Sequence, residues 1–137
     1  MKSHQKIVSQ WLEQLGQELG CGLLLEEDGH CIIPIADNSG CVIEVPADAE
    51  VPCVFIYLPL VNLPENSDAQ LTLARAALQL NLFGLLTGGC QIALDERSDY
   101  LVLSFSAMIN AIDYLEFKHI LNDMFEIAPD LRQRLGA

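Results

Sequence analysis

Positive charge is scarce in this sequence. Seven Lys and Arg stand against 19 Asp and Glu, and the formal net charge at pH 7 is -12. The phosphates of nucleic acids and the headgroups of anionic lipids repel a protein of that charge. We therefore expect no nucleic acid and no membrane among its partners, and the acidity favours basic or apolar partner segments.

The sequence also lacks an apolar h-region near its start. The residues after Met1 lead into an amphipathic segment, which argues against a signal peptide or a membrane span. We therefore expect a cytoplasmic protein in which the five scattered cysteines are reduced thiols. A chain of 137 residues is predicted to form a single domain, 1–137, that needs no disulfide or metal to fold.

Motifs that carry catalysis or hold cofactors are missing as well. Cys31 follows His30, but neighbours in a strand point to opposite faces, so this pair is badly placed for general-base activation. The cysteines lack the close spacing of zinc sites, and Gly88-Gly89 follows a predicted helix, whereas a phosphate loop precedes one. We expect no enzyme activity, no metal and no cofactor. A thiol enzyme or redox sensor that uses Cys31 or Cys90 stays an alternative, which a low thiol pKa would support.

The first half of the chain predicts a helix followed by strands. Apolar residues recur at helical spacing over 4–19, and Gly20 suits the left-handed conformation that ends a helix. Turns are predicted at Glu27–Gly29 and Asp37–Gly40, because Asp-Gly and Asn-Ser-Gly sequences between apolar runs are typical of hairpins. The predicted strands are Leu23–Glu26, Cys31–Ile35, Cys41–Val45 and Val54–Leu58.

A second helix is predicted from Ser67, which has the capping-box spacing to Gln70. From Leu71 to Leu86 the polar residues are few, so this helix is expected to be covered on more than one side, by the sheet and by a partner subunit. The polar residues of that stretch are Thr72, Arg75, Gln79 and Asn81.

The last third predicts a hairpin and a final helix. Cys90–Leu94 and Tyr100–Ser104 are the two strands of the hairpin. The final helix is expected to start at Asp113, and Pro129 is expected to end or kink it. The order of elements indicates an α+β fold rather than a doubly wound nucleotide-binding fold.

Several short motifs, in this order, resemble the class I chaperones of bacterial type III secretion, the family that includes the chaperone of the translocated intimin receptor. The motifs are Leu25-Glu26-Glu27-Asp28-Gly29 with Cys31, Val42-Ile43-Glu44, Tyr57-Leu58-Pro59-Leu60 before Leu63-Pro64, Leu78 to Phe83, Gly88 to Asp95, Leu101-Val102-Leu103-Ser104, Phe117, Met124-Phe125 and Leu131-Arg132. The resemblance implies an α-β-β-β-α-β-β-α fold with a twisted, mainly antiparallel sheet, and a homodimer formed through the second helix. It also implies ATP-independent binding of the amino-terminal region of one or more effector proteins in the bacterial cytoplasm, which keeps that region extended, soluble and competent for secretion.

The resemblance assigns two groups of residues on this chain. The predicted dimer interface lies on the second helix and the strand after the glycine pair, at Leu78, Leu82, Leu85, Leu86 and Ile92. The predicted effector-binding groove lies on the first strands, which are apolar on both faces, at Leu23, Leu25, Ile33, Ile35 and Val42. A regulatory binding protein of the same fold, which sequesters a transcription factor or an anti-activator, is an alternative with the same sequence features.

Overall fold

The computed structural model describes residues 1–35 and 40–136. Within these residues, three α-helices and five strands follow one another as α1 (Ser3–Leu19), β1 (His30–Pro34), β2 (Gly40–Glu44), β3 (Cys53–Asn62), α2 (Ser67–Leu80), β4 (Gln91–Asp95), β5 (Tyr100–Met108) and α3 (Tyr114–Arg134), and short 3-10 helices lie at Leu82–Gly84 and Ile109–Ala111. The strands form one sheet in the order β1-β2-β3-β5-β4. The pairs β1–β2, β2–β3 and β4–β5 are antiparallel. The predicted α+β fold and its order of elements are confirmed.

The chain divides into two compact units. The first comprises Met1–Tyr57 and Ser106–Leu121, and the second comprises Leu58–Phe105 and Asn122–Ala137. The prediction of a single domain over 1–137 stays a prediction.

In the first unit, α1 packs its apolar stripe inward. Trp11 of α1 contacts Phe117 of α3, with ring centroids 5.3 Å apart. Gly20 ends α1 at φ +75°, as predicted, and its N–H donates to the carbonyl of Gly16. Gln5 is buried in α1, where its side-chain amide donates to the carbonyl of Val45 at 2.9 Å. This bond connects the helix to the end of β2.

The first predicted turn is present, but its hairpin is incomplete. Gly29 adopts φ +86°, and the Glu26 N–H donates to the carbonyl of His30 at 2.9 Å. Residues 23–26 are not a strand, so the strand predicted at Leu23–Glu26 is wrong. The second predicted turn begins at Asp37, and positions 36–39 lie outside the described residues.

In the second unit, α2 is shorter than predicted. Its N-cap is Asn66, whose side chain accepts hydrogen bonds from the N–H groups of Asp68 and Ala69. The helix ends at Leu80, so the prediction that it extends to Leu86 is wrong. The cause is Asn81, whose side chain donates to the Ile92 carbonyl at 3.0 Å and accepts from the Ile92 N–H at 2.8 Å. Asn81 thus pairs with strand β4.

The last helix continues past its proline. The Asp113 carboxylate accepts a hydrogen bond from the Glu116 N–H at 2.9 Å, which confirms the predicted start. The helix continues through Pro129 to Arg134, so Pro129 does not end it, and the alternative that Pro129 kinks it stays a prediction. Beyond the proline, Leu131 is buried and the Arg132 guanidinium donates to the carbonyl of Pro59 at 2.7 Å. These contacts hold the last turns in place.

Candidate partner-binding surfaces

The outer face of the first three strands carries two rows of side chains. Ile32 of β1 pairs with Val42 of β2, which pairs with Tyr57 of β3. Side chains that are directly opposite across antiparallel strands lie on the same face. This apolar row continues the exposed side of β1, because Ile32 is 66% exposed.

The second row is mixed in character. His30 pairs with Glu44, and Glu44 pairs with Phe55, whose ring is exposed. His30 Nε2 lies 2.7 Å from Glu44 Oε1, and His30 Nδ1 lies 3.4 Å from Asp28 Oδ1. The Asp28 carboxylate also accepts the backbone N–H of His30 at 3.0 Å. The imidazole therefore lies between two carboxylates at one end of the apolar row.

A groove of about 310 Å³ opens between the segment 22–26 and β1. The bond from Glu26 to His30 closes one end, and β1 is an edge strand of the sheet. Leu24 and Ile32 are the large exposed apolar side chains in its lining, and Leu24 is 72% exposed. The groove thus places two exposed apolar side chains beside an edge strand of the sheet, and edge strands are where extended peptides bind. Its lining residues are Gly22, Leu23, Leu24, Glu26, His30, Cys31 and Ile32.

The predicted effector-binding residues mostly point away from this surface. Leu23, Leu25 and Ile33 are buried inside the protomer, whereas Ile35 and Val42 are half-buried. The exposed positions of the same segments are their sequence neighbours, Leu24 and Ile32 above all. Sequence reasoning missed them because a run that is apolar on both faces does not reveal which alternate side chains point inward.

The second unit presents its own exposed apolar surface. At the end of α2 and in the turns after it, four of the five predicted dimer residues are exposed: Leu78, Leu82, Leu85 and Leu86. The fifth, Ile92, is buried. Sequence reasoning did not select Phe83, which is 85% exposed and adopts φ +64°. A positive φ at a bulky residue costs about 1–2 kcal/mol, and no sequence pattern signals that conformation for Phe.

We define the apolar knob as the exposed side chains of Leu78, Leu82, Phe83, Leu85 and Leu86. Its side chains are exposed in the protomer, and Leu85 reaches 82%. Large contiguous apolar patches on a protein surface mark interaction sites.

The two cysteines of the thiol alternative, Cys31 and Cys90, are both buried. Burial raises the pKa of the Cys31 thiol above its ordinary value. Burial likewise raises the pKa of Cys90 to about 11 and that of Cys41 to about 12. A nucleophilic cysteine needs a lowered pKa, because the thiolate is the reactive form. The thiol alternative that used Cys31 or Cys90 is therefore disfavoured.

The described residues also bear on metal binding and membrane crossing. Within 1–35 and 40–136, no group of three or more His, Cys, Asp or Glu side chains is arranged to hold a metal ion. In the same part of the chain, none of the helices combines the length and the apolar character that crossing a membrane requires.

Comparisons with known proteins agree with the geometry. The model of the Tir chaperone protein (CesT) family matches residues 10–132. Among solved structures, the chain is similar to one in the ExsC-ExsE complex, with a TM-score of 0.77, 17% identity, and coverage of 98% of this chain and 97% of that chain. It is similar to one in the HopA1-SchA chaperone-effector complex, with a TM-score of 0.69, 17% identity, and coverage of 97% and 98%.

A third similar structure is that of the Yersinia pestis type III secretion chaperone SycH in complex with a stable fragment of YscM2, with a TM-score of 0.62, 23% identity, and coverage of 90% of this chain and 98% of that chain. No curated protein matches the sequence.

Proposed function

Because the chain belongs to the Tir chaperone protein (CesT) family, we propose that it is a type III secretion chaperone that binds the amino-terminal region of one or more effector proteins. The observation that carries the proposal is the groove beside the edge strand β1, in whose lining Leu24 and Ile32 are exposed. An extended segment gains backbone hydrogen bonds at such an edge and buries alternate side chains in the groove.

The energetics suit a segment that is unfolded before it binds. An effector segment exposes apolar side chains at intervals, and burial on the order of 1,000 Å² at ~25 cal/mol per Å² offsets the entropy of ordering it. Binding of this kind needs no ATP. It holds the segment extended and prevents it from aggregating in the bacterial cytoplasm.

We propose further that the working form is a homodimer joined through the apolar knob. The knob projects large side chains from the end of α2, and the predicted interface residues Leu78, Leu82, Leu85 and Leu86 belong to it. A two-fold axis would bring the same surface of each copy together, which is the usual geometry of small homodimers. Ile92 would act indirectly: its backbone N–H and carbonyl bond the side chain of Asn81, which precedes Leu82 of the knob.

The proposal includes no catalysis. The two chemical features that sequence analysis singled out, the His30–Cys31 pair and the Cys90 thiol, have other places in the structure. His30 lies on the outer face between two carboxylates, whereas Cys31 and Cys90 are buried with a raised thiol pKa.

The test is affinity capture from the native cytoplasm with a tagged protein, followed by mass spectrometry and limited proteolysis of what is bound. We expect one or a few secreted proteins held through their amino-terminal regions. The double variant Leu24→Asp, Ile32→Asp should lose them, because both side chains are exposed and the folded protein tolerates the charges.

The matched control is the double variant Met108→Asp, Leu115→Asp, which adds the same charge at two exposed positions outside the groove and should keep the partner. Circular dichroism verifies that both variants are folded. Capture that survives in the groove variant, or a partner that is a transcriptional regulator rather than a secreted protein, would contradict the proposal.

A further inference from the structure

The groove beside β1 has an acidic end. Glu26 and His30 line it together with Ile32, and the Asp28 and Glu44 carboxylates lie 3.4 and 2.7 Å from the His30 ring. Ile32 and His30 are two positions apart on the same face of β1, which corresponds to about 7 Å along a strand. The apolar side chain of Ile32 and the carboxylates around His30 are therefore separated by about the distance between alternate side chains of an extended peptide.

This part of the chain lacks cations of its own. From Ile7 to Ala74 the sequence contains eleven Asp and Glu and no Lys or Arg. His30 is the one basic side chain among the described residues that line the groove. Its Nδ1 is buried and has no hydrogen-bond partner among the residues that the structure describes.

We infer that the groove selects an extended partner segment in which Lys or Arg stands two positions from a large apolar residue, with the apolar side chain between Leu24 and Ile32 and the cation at Glu26, Asp28 and Glu44. The inference rests on the proposed function, since it specifies the chemistry of the segment that is bound. Charge complementarity decides the choice of occupant: the net negative charge at the mouth of the groove attracts a cationic segment and repels an acidic one.

The preference should be modest because the carboxylates are partly solvated. An exposed ion pair contributes roughly 0.2–1 kcal/mol, so exchanging the cation for a neutral side chain should weaken binding by up to about fivefold. Exchanging it for an acid should weaken binding further, by about tenfold in total. The difference should disappear in about 1 M salt, where the Debye length is about 3 Å.

The experiment uses the isolated full-length protein and three synthetic peptides, so it does not depend on capturing a native partner. Each peptide has about ten residues of serine and threonine, one isoleucine, and two positions later lysine, glutamine or glutamate. Titrations followed by amide chemical shifts should place the isoleucine at Leu24 and Ile32 and should rank the peptides lysine, glutamine, glutamate.

A triple variant, Glu26→Gln, Asp28→Asn, Glu44→Gln, should bind all three peptides alike. Its matched control removes three exposed acids elsewhere, by Glu65→Gln, Glu96→Gln and Glu126→Gln, and should keep the ranking.

Equal affinities for the three peptides, shifts away from the groove, or a ranking unchanged in the groove variant would overturn the inference. Concentration-dependent shifts at Leu24 without peptide would assign the groove to a second copy of the chain and would overturn it too. If these tests fail while affinity capture still yields a secreted protein, the chaperone function stands and only the charge selection falls.

Discussion

The apolar knob makes a quantitative prediction for Phe83. Its side chain is 85% exposed in the protomer, and a Phe side chain buries roughly 200 Å² when it is covered. About 170 Å² at ~25 cal/mol per Å² corresponds to about 4 kcal/mol, of which alanine would retain about a quarter. A symmetric dimer contains two copies, so Phe83→Ala should cost about 6 kcal/mol of association free energy, or about four orders of magnitude in the dimer Kd.

The assay is sedimentation equilibrium or light scattering over a wide range of protein concentration. The wild-type chain should have the mass of a dimer, and Phe83→Ala should have the mass of a monomer at the same concentration. Leu115→Ala is the matched control, because Leu115 is also well exposed but lies in the first unit. A Phe83→Ala protein that dimerises as tightly as this control would refute the assignment of the interface.

A second variant separates association from folding. Phe83 adopts φ +64°, which glycine tolerates without strain. Phe83→Gly should therefore leave the unfolding free energy of the dilute monomer unchanged or higher, since about 1–2 kcal/mol of backbone strain is relieved. It should nevertheless weaken the dimer as alanine does. If the glycine variant lowers monomer stability, the Phe83 ring serves the fold of its own protomer instead.

Three further predictions concern stability. Asn81→Ala should lower the unfolding free energy by about 2–3 kcal/mol in urea titrations, because it leaves the N–H and carbonyl of Ile92 without their partner. Cys41 and Cys90 should react with thiol reagents at pH 8 only after unfolding. Folding raises the pKa of Cys41 from 9.0 to about 12 and that of Cys90 from 9.0 to about 11, so the urea midpoint of unfolding should fall as the pH rises above about 9. Hydrogen bonds from Lys118 and Tyr114 lower the pKa of Glu18. The ionised carboxylate should therefore stabilise the fold slightly near neutral pH, and this contribution to the unfolding free energy should be lost as the pH falls through the lowered pKa. The same acid titration of Glu18→Gln should lack that loss.

Local signals in the sequence located most of the elements and their ends. Gly20 and Asp113 end and begin helices by contacts within a few residues, so their roles were readable from the sequence. The end of α2 was not readable, because the Asn81 contact that stops it is made to a residue on another element. At Pro129 the local signal predicted the end of a helix that in fact continues. Burial of Leu131 beyond the proline stabilises the last turns and outweighs the local preference of proline to end a helix.

The predicted effector-binding residues stay a prediction, but the structure gives the exposure of the segments that carry them. Sequence patterning chose Leu23 and Ile33, which are buried, whereas Leu24 and Ile32 are exposed. A one-residue shift in the phase of a strand exchanges its two faces, and a run that is apolar on both faces carries no information on that phase. Surfaces that bind apolar partners consist of the same residue types as the core. Which of these residues are exposed is decided by the packing of the folded chain.

The strong acidity and the exposed apolar surfaces have a common physical requirement. A chain with 51% hydrophobic residues and a groove and a knob open to solvent would associate indiscriminately if it were close to neutral. A net charge of -12 makes copies of this protein repel one another. Only a contact that buries a large apolar area, as the knob would, overcomes that repulsion between copies. A segment that brings its own cation to the groove meets attraction instead, so the same charge that keeps the protein dispersed should discriminate among its partners.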